Sequence, residues 1–241
     1  MAKAIEQWFS DRTERPMTLA RWGHYGRPVL LFPTAGGDAE EAERNRLLEA
    51  CWDLVEEGRV KIYSCDSTAG RALATGEGSP AYRMWLLRRY LEAVAEEVVP
   101  AIYADLGGRQ RIVTTGSSIG AFNAVALLCR HPDLVEAAIA MSGTFRLQQW
   151  LDWQSSEDLY LASPLHFLPG LQGPQLDMLR QRFVVLASGE GAHESIDESW
   201  AMARALGDKG IPNRVDNWGP EYIHDWPTWW EMLPQYLREV C

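Results

Sequence analysis

The length, composition and charge of the chain exclude several classes of protein. With 46% hydrophobic and 23% charged side chains, and no linker-like run among its 241 residues, we expect one globular domain, 1–241, rather than a disordered chain. The formal net charge of −10 would repel a nucleic-acid backbone or an anionic membrane, so neither is an expected partner.

The N-terminal segment and the cysteines indicate where the protein works. Residues 1–16 lack the apolar core of a secretory signal, and no run of about 18 apolar residues follows, so we expect a cytoplasmic protein. Cys51, Cys65, Cys129 and Cys241 form no Cys-x-x-Cys pair and are expected to be reduced core residues. The histidines lack metal-ligand spacing, so the sequence predicts neither a metal nor another cofactor.

The first elements predicted along the chain are strands. Residues 18–23 and 27–34 are rich in β-forming side chains around a Gly-containing turn, which predicts an opening antiparallel pair. The second segment, RPVLLFPT, is almost entirely apolar, as a buried central strand would be. Apolar residues then recur at helical spacing through 38–57, and Gly58 ends this predicted helix.

Strands and helices then alternate to the end of the chain. Strands are predicted at 60–66, 111–116, 134–143, 182–189 and 213–219. Helices are predicted at 81–108 (broken or kinked at Pro100), 119–131, 198–210 and 226–240. This alternation predicts an α/β fold with a mostly parallel sheet and helices on both faces. Right-handed crossovers bring the carboxyl ends of the strands to one edge, where we expect the chemistry.

The segment TTGSSIGAFNAV carries a Gly-x-Ser-x-Gly motif centred on Ser118. It lies between an apolar strand and an Ala-rich helix, which is the arrangement of a nucleophile elbow. Glycines at positions 116 and 120 leave room for a strained turn, and the helix N-terminus stabilises negative charge. The alternative is a Gly-lined turn with a capping serine. We predict Ser118 as a nucleophile.

A serine hydroxyl needs a base to take its proton, and histidine is suited to this near neutral pH. His224 follows the last predicted strand and therefore lies at the same sheet edge as Ser118, so it is the predicted base. His166, in an irregular stretch, and His193, close to the expected acid, remain alternatives. Asp225 is expected to cap the helix that follows it.

A carboxylate should hold His224 in the correct tautomer. Chains with a nucleophile elbow carry their triads in the order Ser, acid, His, which directs the search to the loop after the strand at 182–189. This loop contains Glu190, Glu194 and Asp197. Glu194 is the predicted acid and Glu190 the alternative, while a carboxylate at a helix start is the competing interpretation of Glu194.

The negative charge that develops on the substrate requires two backbone N–H donors. The N–H of Ile119, directly after the predicted nucleophile, is expected to be one of them. The N–H of Ala35, in the small-residue segment PTAGG, is expected to be the other. The competing interpretation of that segment is a Gly-rich loop that caps the next helix through Asp38.

Taken in order, LLFPTAGGD, TTGSSIGAFNAV, SGEGAHES and GPEYIHDWPTWW resemble the Putative esterase family, which includes esterase D, feruloyl esterases and mycolyltransferases. The resemblance covers nearly the whole chain and implies an α/β-hydrolase fold with an antiparallel N-terminal strand. It implies Ser118 as nucleophile and His224, in a His-x-Trp motif, as base. It also implies an oxyanion hole made by Ile119 and Ala35, although the family's usual His-Gly before that second donor is Pro-Thr here.

The stretch 144–180 interrupts the predicted sheet and is rich in aromatic side chains. Members of the family often cover the substrate with a segment at this place, so the resemblance implies a lid. A small satellite core under a long loop is the alternative.

These residues predict a serine esterase that acts on a small-molecule ester through an acyl-enzyme intermediate. An acyltransferase with the same triad is one alternative, and the sequence does not separate it from a hydrolase. A non-catalytic binding module on the same scaffold is the alternative from another class. The oligomeric state stays open, with a homo-oligomer among the outcomes.

Overall fold

A computed structural model describes residues 2–241, which are built around an eight-stranded sheet. Its strands are β1 (Lys3–Ser10), β2 (Arg15–Trp22), β3 (Arg27–Phe32), β4 (Val60–Cys65), β5 (Ile112–Ser117), β6 (Val135–Met141), β7 (Phe183–Ser188) and β8 (Asn213–Asn217). Their order across the sheet is β1-β2-β4-β3-β5-β6-β7-β8. Among residues 2–241, β2 is antiparallel to both of its neighbours, β1 and β4, and every other pair of adjacent strands is parallel. The predicted α/β-hydrolase fold with an antiparallel N-terminal strand is confirmed.

Helices cover both faces of the sheet. One face packs against α4 (Thr68–Thr75), α5 (Pro80–Ala93), α6 (Val99–Leu106), α7 (Ile119–Arg130), α8 (Glu157–Ala162), α9 (Pro164–Phe167), α10 (Pro174–Leu179) and α11 (Ile196–Gly207). The other packs against α1 (Glu41–Arg44), α2 (Leu47–Ala50), α3 (Trp52–Glu56) and α12 (Trp226–Val240). Successive strand residues point to opposite faces, so Leu30 and Leu31 of β3 enter different halves of the core. Within residues 2–241 no helix is both long and apolar enough to cross a membrane.

The predicted pairing of the first two β-rich segments is wrong. β2 pairs with β1 and β4, whereas β3 lies between β4 and β5. The connection from β2 to β3 passes close to the start of β4. A Cβ added to Gly26 in this connection would lie 2.7 Å from the N atom of Val60. An almost wholly buried strand such as β3 requires a partner on each side, which a hairpin at the sheet edge would not provide. β1, with its mostly exposed side chains, half of them polar, was not predicted.

The helix predicted at 38–57 is also wrong, because the segment folds as three short helices, α1 to α3. Arg46 adopts a left-handed backbone, with φ of 63°, between the first two of them. The side chain of Asn45 donates a hydrogen bond to the carbonyl of Glu41 at 2.9 Å and so helps to end α1. Apolar spacing alone does not reveal such an interruption.

The break or kink predicted at Pro100 takes another form. Residues Val94–Val98 make a π-helical turn that joins α5 to α6 without a break. Pro100 lies directly after this turn, inside a continuous helix, where the irregular hydrogen bonding of the π-helical turn accommodates the missing N–H and the ring of proline.

Three cysteines are small core residues, as the sequence indicated. Cys51, Cys65 and Cys129 are buried, and all four cysteines of the chain are free. Burial raises the pKa of these three thiols to about 12, which leaves them protonated and unreactive near neutral pH. Cys241 is only partly buried.

Residues 144–180, called the insertion below, connect the neighbouring strands β6 and β7. They contain α8 to α10 and two 3₁₀ turns, Gln148–Trp150 and Leu168–Gly170. Buried side chains such as Phe145 and Phe167 join the same apolar cluster as α5 and α7, so the insertion packs on the main core instead of forming a core of its own.

Candidate active site

Ser118 occupies the turn between β5 and α7. Its backbone is left-handed, with φ of 58° and ψ of −120°, a strained conformation for a residue with a side chain. A Cβ added to Gly116 would lie 2.5 Å from the carbonyl carbon of Gly120. A Cβ added to Gly120 would lie 2.4 Å from the carbonyl oxygen of Phe32 in β3. Both positions must therefore be glycine for the helix to start this close to the sheet.

The backbone around Ser118 is tightly held, while its hydroxyl is not. The N–H of Ser118 donates to Met141 at 3.1 Å, and its carbonyl accepts from Thr144 at 3.2 Å. No side-chain hydrogen bond restrains the hydroxyl in the described part of the chain. The hydroxyl stands at the N-terminus of the buried, Ala-rich helix α7, where the helix dipole favours negative charge.

His224 and Glu194 are brought together at the same edge of the sheet. The Nδ1 atom of His224 lies 3.6 Å from Oε2 of Glu194, within ion-pair distance. The Glu194 side chain is 1% exposed and that of His224 is 22% exposed. The N–H of His224 donates to the carbonyl of Ala192 at 3.0 Å, which fixes the two loops against each other. His224 is thus solvent-accessible on one side and faces a buried carboxylate on the other.

The other carboxylates of this loop are placed differently. Glu190 is exposed, and its N–H bonds the carbonyl of Gly219 at 2.9 Å. Asp197 is exposed in the first turn of α11. Asp225 is the N-cap of α12, as expected, and accepts a hydrogen bond from the N–H of Trp226 at 2.7 Å.

Glu194 has further partners that the sequence did not reveal. Its Oε1 accepts a hydrogen bond from the hydroxyl of Ser142, and its Oε2 from that of Ser188 at 3.0 Å. The indole N–H of Trp229 donates to Ser142 at 2.9 Å. The only sequence signal for the two serines is their place at the carboxyl ends of β6 and β7.

The remaining histidines lie elsewhere. His131 ends α7 at the opposite end from Ser118, and burial lowers its pKa. His166 is part of α9, and burial lowers its pKa as well. His24 is exposed in the turn before β3. His193 is exposed, has a left-handed backbone and lines the cleft described below.

The two predicted N–H donors lie near each other. A Cβ added to Gly70 would be 3.2 Å from Cα of Ala35 and 3.2 Å from Cγ2 of Ile119. Neither the N–H of Ala35 nor that of Ile119 is used by a hydrogen bond among residues 2–241. The carboxylate of Glu41 holds the loop by accepting from the N–H of Thr34 at 2.8 Å and from its hydroxyl at 2.6 Å.

The competing interpretation, in which Asp38 caps the next helix, is wrong. The Asp38 carboxylate accepts a hydrogen bond from the N–H of Glu40 at 2.9 Å in the turn before α1, but the N-cap of α1 is Glu40 and no side chain among residues 2–241 caps it. The N–H of Ala35 has no hydrogen-bond partner within the same residues.

A cleft of about 510 Å³ opens beside these residues. Its wall includes His224 and, from the insertion, Arg146, Gln148, Gln149 and Trp153. The wall also contains Thr144, whose N–H bonds the carbonyl of Ser118, so the cleft adjoins the turn although the Ser118 hydroxyl is not part of its lining. In residues 2–241, no three His, Cys, Asp or Glu side chains are grouped as metal ligands.

The start of the insertion is fixed to α11 by Glu198. This carboxylate accepts hydrogen bonds from the backbone N–H groups of Phe145 at 2.7 Å and Arg146 at 2.8 Å. It also accepts from the guanidinium of Arg146 at 2.9 Å. The cleft wall therefore has a defined position next to His224.

Comparison with known proteins supplies independent information. A family model described as Putative esterase matches residues 32–240. No curated protein matches the chain. Similar solved structures include a ferulic acid esterase, 16% identical with a TM-score of 0.74, over 99% of this chain and 97% of that one. An S-formylglutathione hydrolase from Agrobacterium tumefaciens is 12% identical with a TM-score of 0.71, over 98% and 93%. The fluorophosphonate-binding serine hydrolase FphF from Staphylococcus aureus is 13% identical with a TM-score of 0.65, over 99% and 98%.

Proposed function

The chain belongs to the Putative esterase family, and on that premise we propose that it hydrolyses a carboxylic ester with Ser118 as the nucleophile. The observation that carries the proposal is the left-handed backbone of Ser118 between two glycines that have no room for a side chain. Strain of this kind persists where the surrounding fold enforces it, and here it holds a hydroxyl at a helix N-terminus.

His224 and Glu194 complete the proposed triad. His224 takes the proton of Ser118 as the hydroxyl oxygen attacks the ester carbonyl carbon, and then gives it to the departing alcohol. Glu194 holds the Nδ1–H of the ring and offsets the charge of the imidazolium, a role supported by its separation of 3.6 Å from Nδ1. Water then attacks the acyl-enzyme by the same route and releases the acid.

The N–H groups of Ile119 and Ala35 are the proposed oxyanion donors. Each lacks a hydrogen-bond partner within residues 2–241, and both lie against Gly70. Donors that are already in place cost no reorganisation when the negative charge develops, and the loss of one typically lowers the rate by about 10²–10³.

The insertion is the proposed lid over the substrate. Its polar side chains and the exposed ring of Trp153 supply much of the cleft wall beside His224. A cleft of about 510 Å³ has the size of small-molecule sites, which supports a small ester as substrate.

Labelling with a fluorophosphonate probe, followed by peptide mapping, tests the nucleophile. We expect the probe on Ser118, and Ser118→Ala should lower kcat for p-nitrophenyl acetate by about 10⁴-fold or more. Ser117→Ala is the matched control, because it removes the adjacent buried hydroxyl from the same motif and should keep both labelling and turnover.

Four other outcomes would reject the proposal. Labelling at a different residue, or wild-type turnover by Ser118→Ala, would exclude Ser118 as the nucleophile. No labelling of the folded protein would favour a binding module. Diversion of most of the acyl group to an added alcohol would favour an acyltransferase. The names of two similar structures suggest methyl ferulate and S-formylglutathione as further test substrates.

A further inference from the structure

A chain of hydrogen bonds leads away from the carboxylate of Glu194 into the core. Trp229 of α12 donates its indole N–H to the Ser142 hydroxyl at 2.9 Å, and Ser142 bonds Oε1 of Glu194. Ser142, which borders the cleft, is 2% exposed and Trp229 is 3% exposed, so both groups are largely shielded from water. The chain joins α12, the end of β6 and the loop after β7.

The chemistry of the groups fixes the direction of this chain. An indole N–H only donates, so the Ser142 oxygen must accept from Trp229. A hydroxyl has a single proton, and the one on Ser142 is then available for Glu194, which accepts when it is ionised. Hydrogen bonds that run in one direction polarise each other and strengthen the final bond to the carboxylate.

The backbone at Ser142 is a second, independent observation. Its φ of 48° lies in the left-handed region, where glycine would fit without strain. A serine at this position is strained where glycine would not be, but it supplies a hydroxyl, which glycine lacks. Strain at a buried residue next to a reactive group is typical of a functional constraint.

Trp229 also contacts the other partner of Glu194. Its ring meets the ring of His224 edge to face, with centroids 5.4 Å apart and an interplanar angle of 85°. One side chain therefore fixes the imidazole directly and the carboxylate through Ser142.

We propose that Ser142 and Trp229 are positioning residues that keep the Glu194 carboxylate aimed at His224. The inference rests on the proposed function, in which Glu194 acts through His224. Ser188 also bonds Glu194, but we expect it to hold the carboxylate less firmly than Ser142 does. Its single proton is shared between Oε2 of Glu194 at 3.0 Å and the carbonyl of Gly189 at 3.1 Å.

Few other charges act on this carboxylate. His224 is the titratable group that contacts it within residues 2–241, at 3.6 Å. The nearby cleft wall carries His193 and the Arg146–Glu198 pair, whose charges cancel. Loss of the Ser142 bond should therefore be visible in the pH profile.

The test is the dependence of kcat/KM on pH for hydrolysis of p-nitrophenyl acetate. The acid limb reports the protonation of the base, His224, in the proposed mechanism. Without the Ser142 hydroxyl the carboxylate loses a hydrogen-bond donor and presents more negative charge to the imidazole, so the limb should move upward by about 0.5–1 on the pH scale in Ser142→Ala. The same variant should lose about ten-fold in kcat/KM at the plateau. Trp229→Phe should shift the limb in the same direction by a smaller amount.

Matched controls come from the same chain. Ser199→Ala removes a buried hydroxyl that has no partner in residues 2–241, and its profile should overlay the wild type. Trp230→Phe removes an indole N–H that bonds the carbonyl of Asn45 at 2.8 Å, one residue along the same helix, and should leave the midpoint unchanged. Ser142→Gly removes the hydroxyl and the strain together, and it should shift the limb as Ser142→Ala does.

The outcomes separate this inference from the proposed function. Wild-type turnover that Ser118→Ala abolishes, together with an unshifted acid limb in Ser142→Ala, overturns the positioning role alone. A uniform loss at every pH would mean that Ser142 only stabilises the fold, and a normal profile in Ser142→Gly would mean that strain matters instead of the hydroxyl. Turnover that survives Ser118→Ala rejects the proposed function and this inference with it.

Discussion

At the scale of single residues, two neighbouring strands end in the same unusual way. Ser118 after β5 and Ser142 after β6 both have left-handed backbones, and the N–H of Ser118 bonds the carbonyl of Met141, directly before Ser142. The strained serines are thus linked at one point of the sheet edge, with their side chains directed to different tasks in our proposals.

The tight approach of the helix to the sheet makes Gly120 a sharp test of this geometry. In Gly120→Ala the new Cβ would lie 2.4 Å and 2.7 Å from the carbonyl oxygens of Phe32 and Pro33. Overpacking against backbone atoms should cost about 1–3 kcal/mol or more of unfolding free energy, with a parallel loss of esterase activity. Urea unfolding measures the first effect.

Gly108→Ala is the control, because an added Cβ there meets no atom within 4 Å. It should leave stability and activity near the wild-type values. Equal unfolding free energies for the two variants would contradict the steric role of Gly120.

The sequence reveals some of the candidate site and hides the rest for a physical reason. Ser118 and its glycines form one local motif, so their spacing predicts the turn. Ser142 bonds Glu194 across 52 residues of chain, and Trp229 bonds Ser142 across 87 residues. Only the order of the strands brings these side chains together. The placement of Glu194 beside His224 agrees with the predicted pairing, and the triad itself stays a prediction.

At the scale of elements, the insertion combines a buried side and an exposed side. Its apolar residues join the main core, while Trp153 is 81% exposed on the wall of the cleft. Asp152 and Trp153 are consecutive left-handed residues, held by a hydrogen bond from the N–H of Trp153 to Gln148 at 3.0 Å. This arrangement presents a large ring to the cleft at little cost to packing.

Trp153→Ala should therefore weaken substrate binding more than it weakens the fold. We expect KM for aromatic esters to rise several-fold, roughly the effect of losing one ring contact, with kcat and the urea midpoint nearly unchanged. Tyr160→Ala is the control, since Tyr160 is an exposed aromatic residue of the same insertion outside the cleft wall. A similar KM for both variants would remove Trp153 from the substrate site.

The errors in the predicted elements have a common origin. From β4 onward the alternation of the predicted strands and helices was correct, but α4 and the short helices α8 to α10 of the insertion were not predicted. β3 looked like the partner of β2 because the two are close in sequence, yet its buried pattern requires central neighbours that come later in the chain. Arg46 broke a predicted helix through a backbone conformation that apolar spacing does not encode.

At the scale of the whole molecule, the family match confirms the predicted esterase and the sheet confirms the fold. The same fold partly buries two histidines away from the candidate site, His131 and His166. Burial lowers the pKa of both below the ordinary value of 6.5. As the pH falls below 6.5, these two histidines bind protons more readily in the unfolded chain than in the folded protein, so the free energy of unfolding falls.

The lowered pKa values of His131 and His166 predict that the protein loses stability on mild acidification. Urea unfolding of the wild type should give a smaller free energy at pH 5.5 than at pH 7.5, because the contribution of both histidines is complete only above about 6.5. The double variant His131→Gln and His166→Gln should lose less between the two pH values. His24→Gln, which alters an exposed histidine, serves as the control. An identical pH dependence in the double variant and the wild type would contradict the assignment.

The position of β3 between β4 and β5 also governs the order of events during synthesis. This almost wholly buried strand leaves the ribosome before its two neighbours, and one of its edges stays open until residues 112–117 have been made. An open apolar edge is a surface on which chaperones or other nascent chains bind. The proposed nucleophile, Ser118, is made directly after β5, whereas its proposed base, His224, is made only with the loop before α12. During translation the nucleophile would thus stay inactive until the loop that carries His224 has been made.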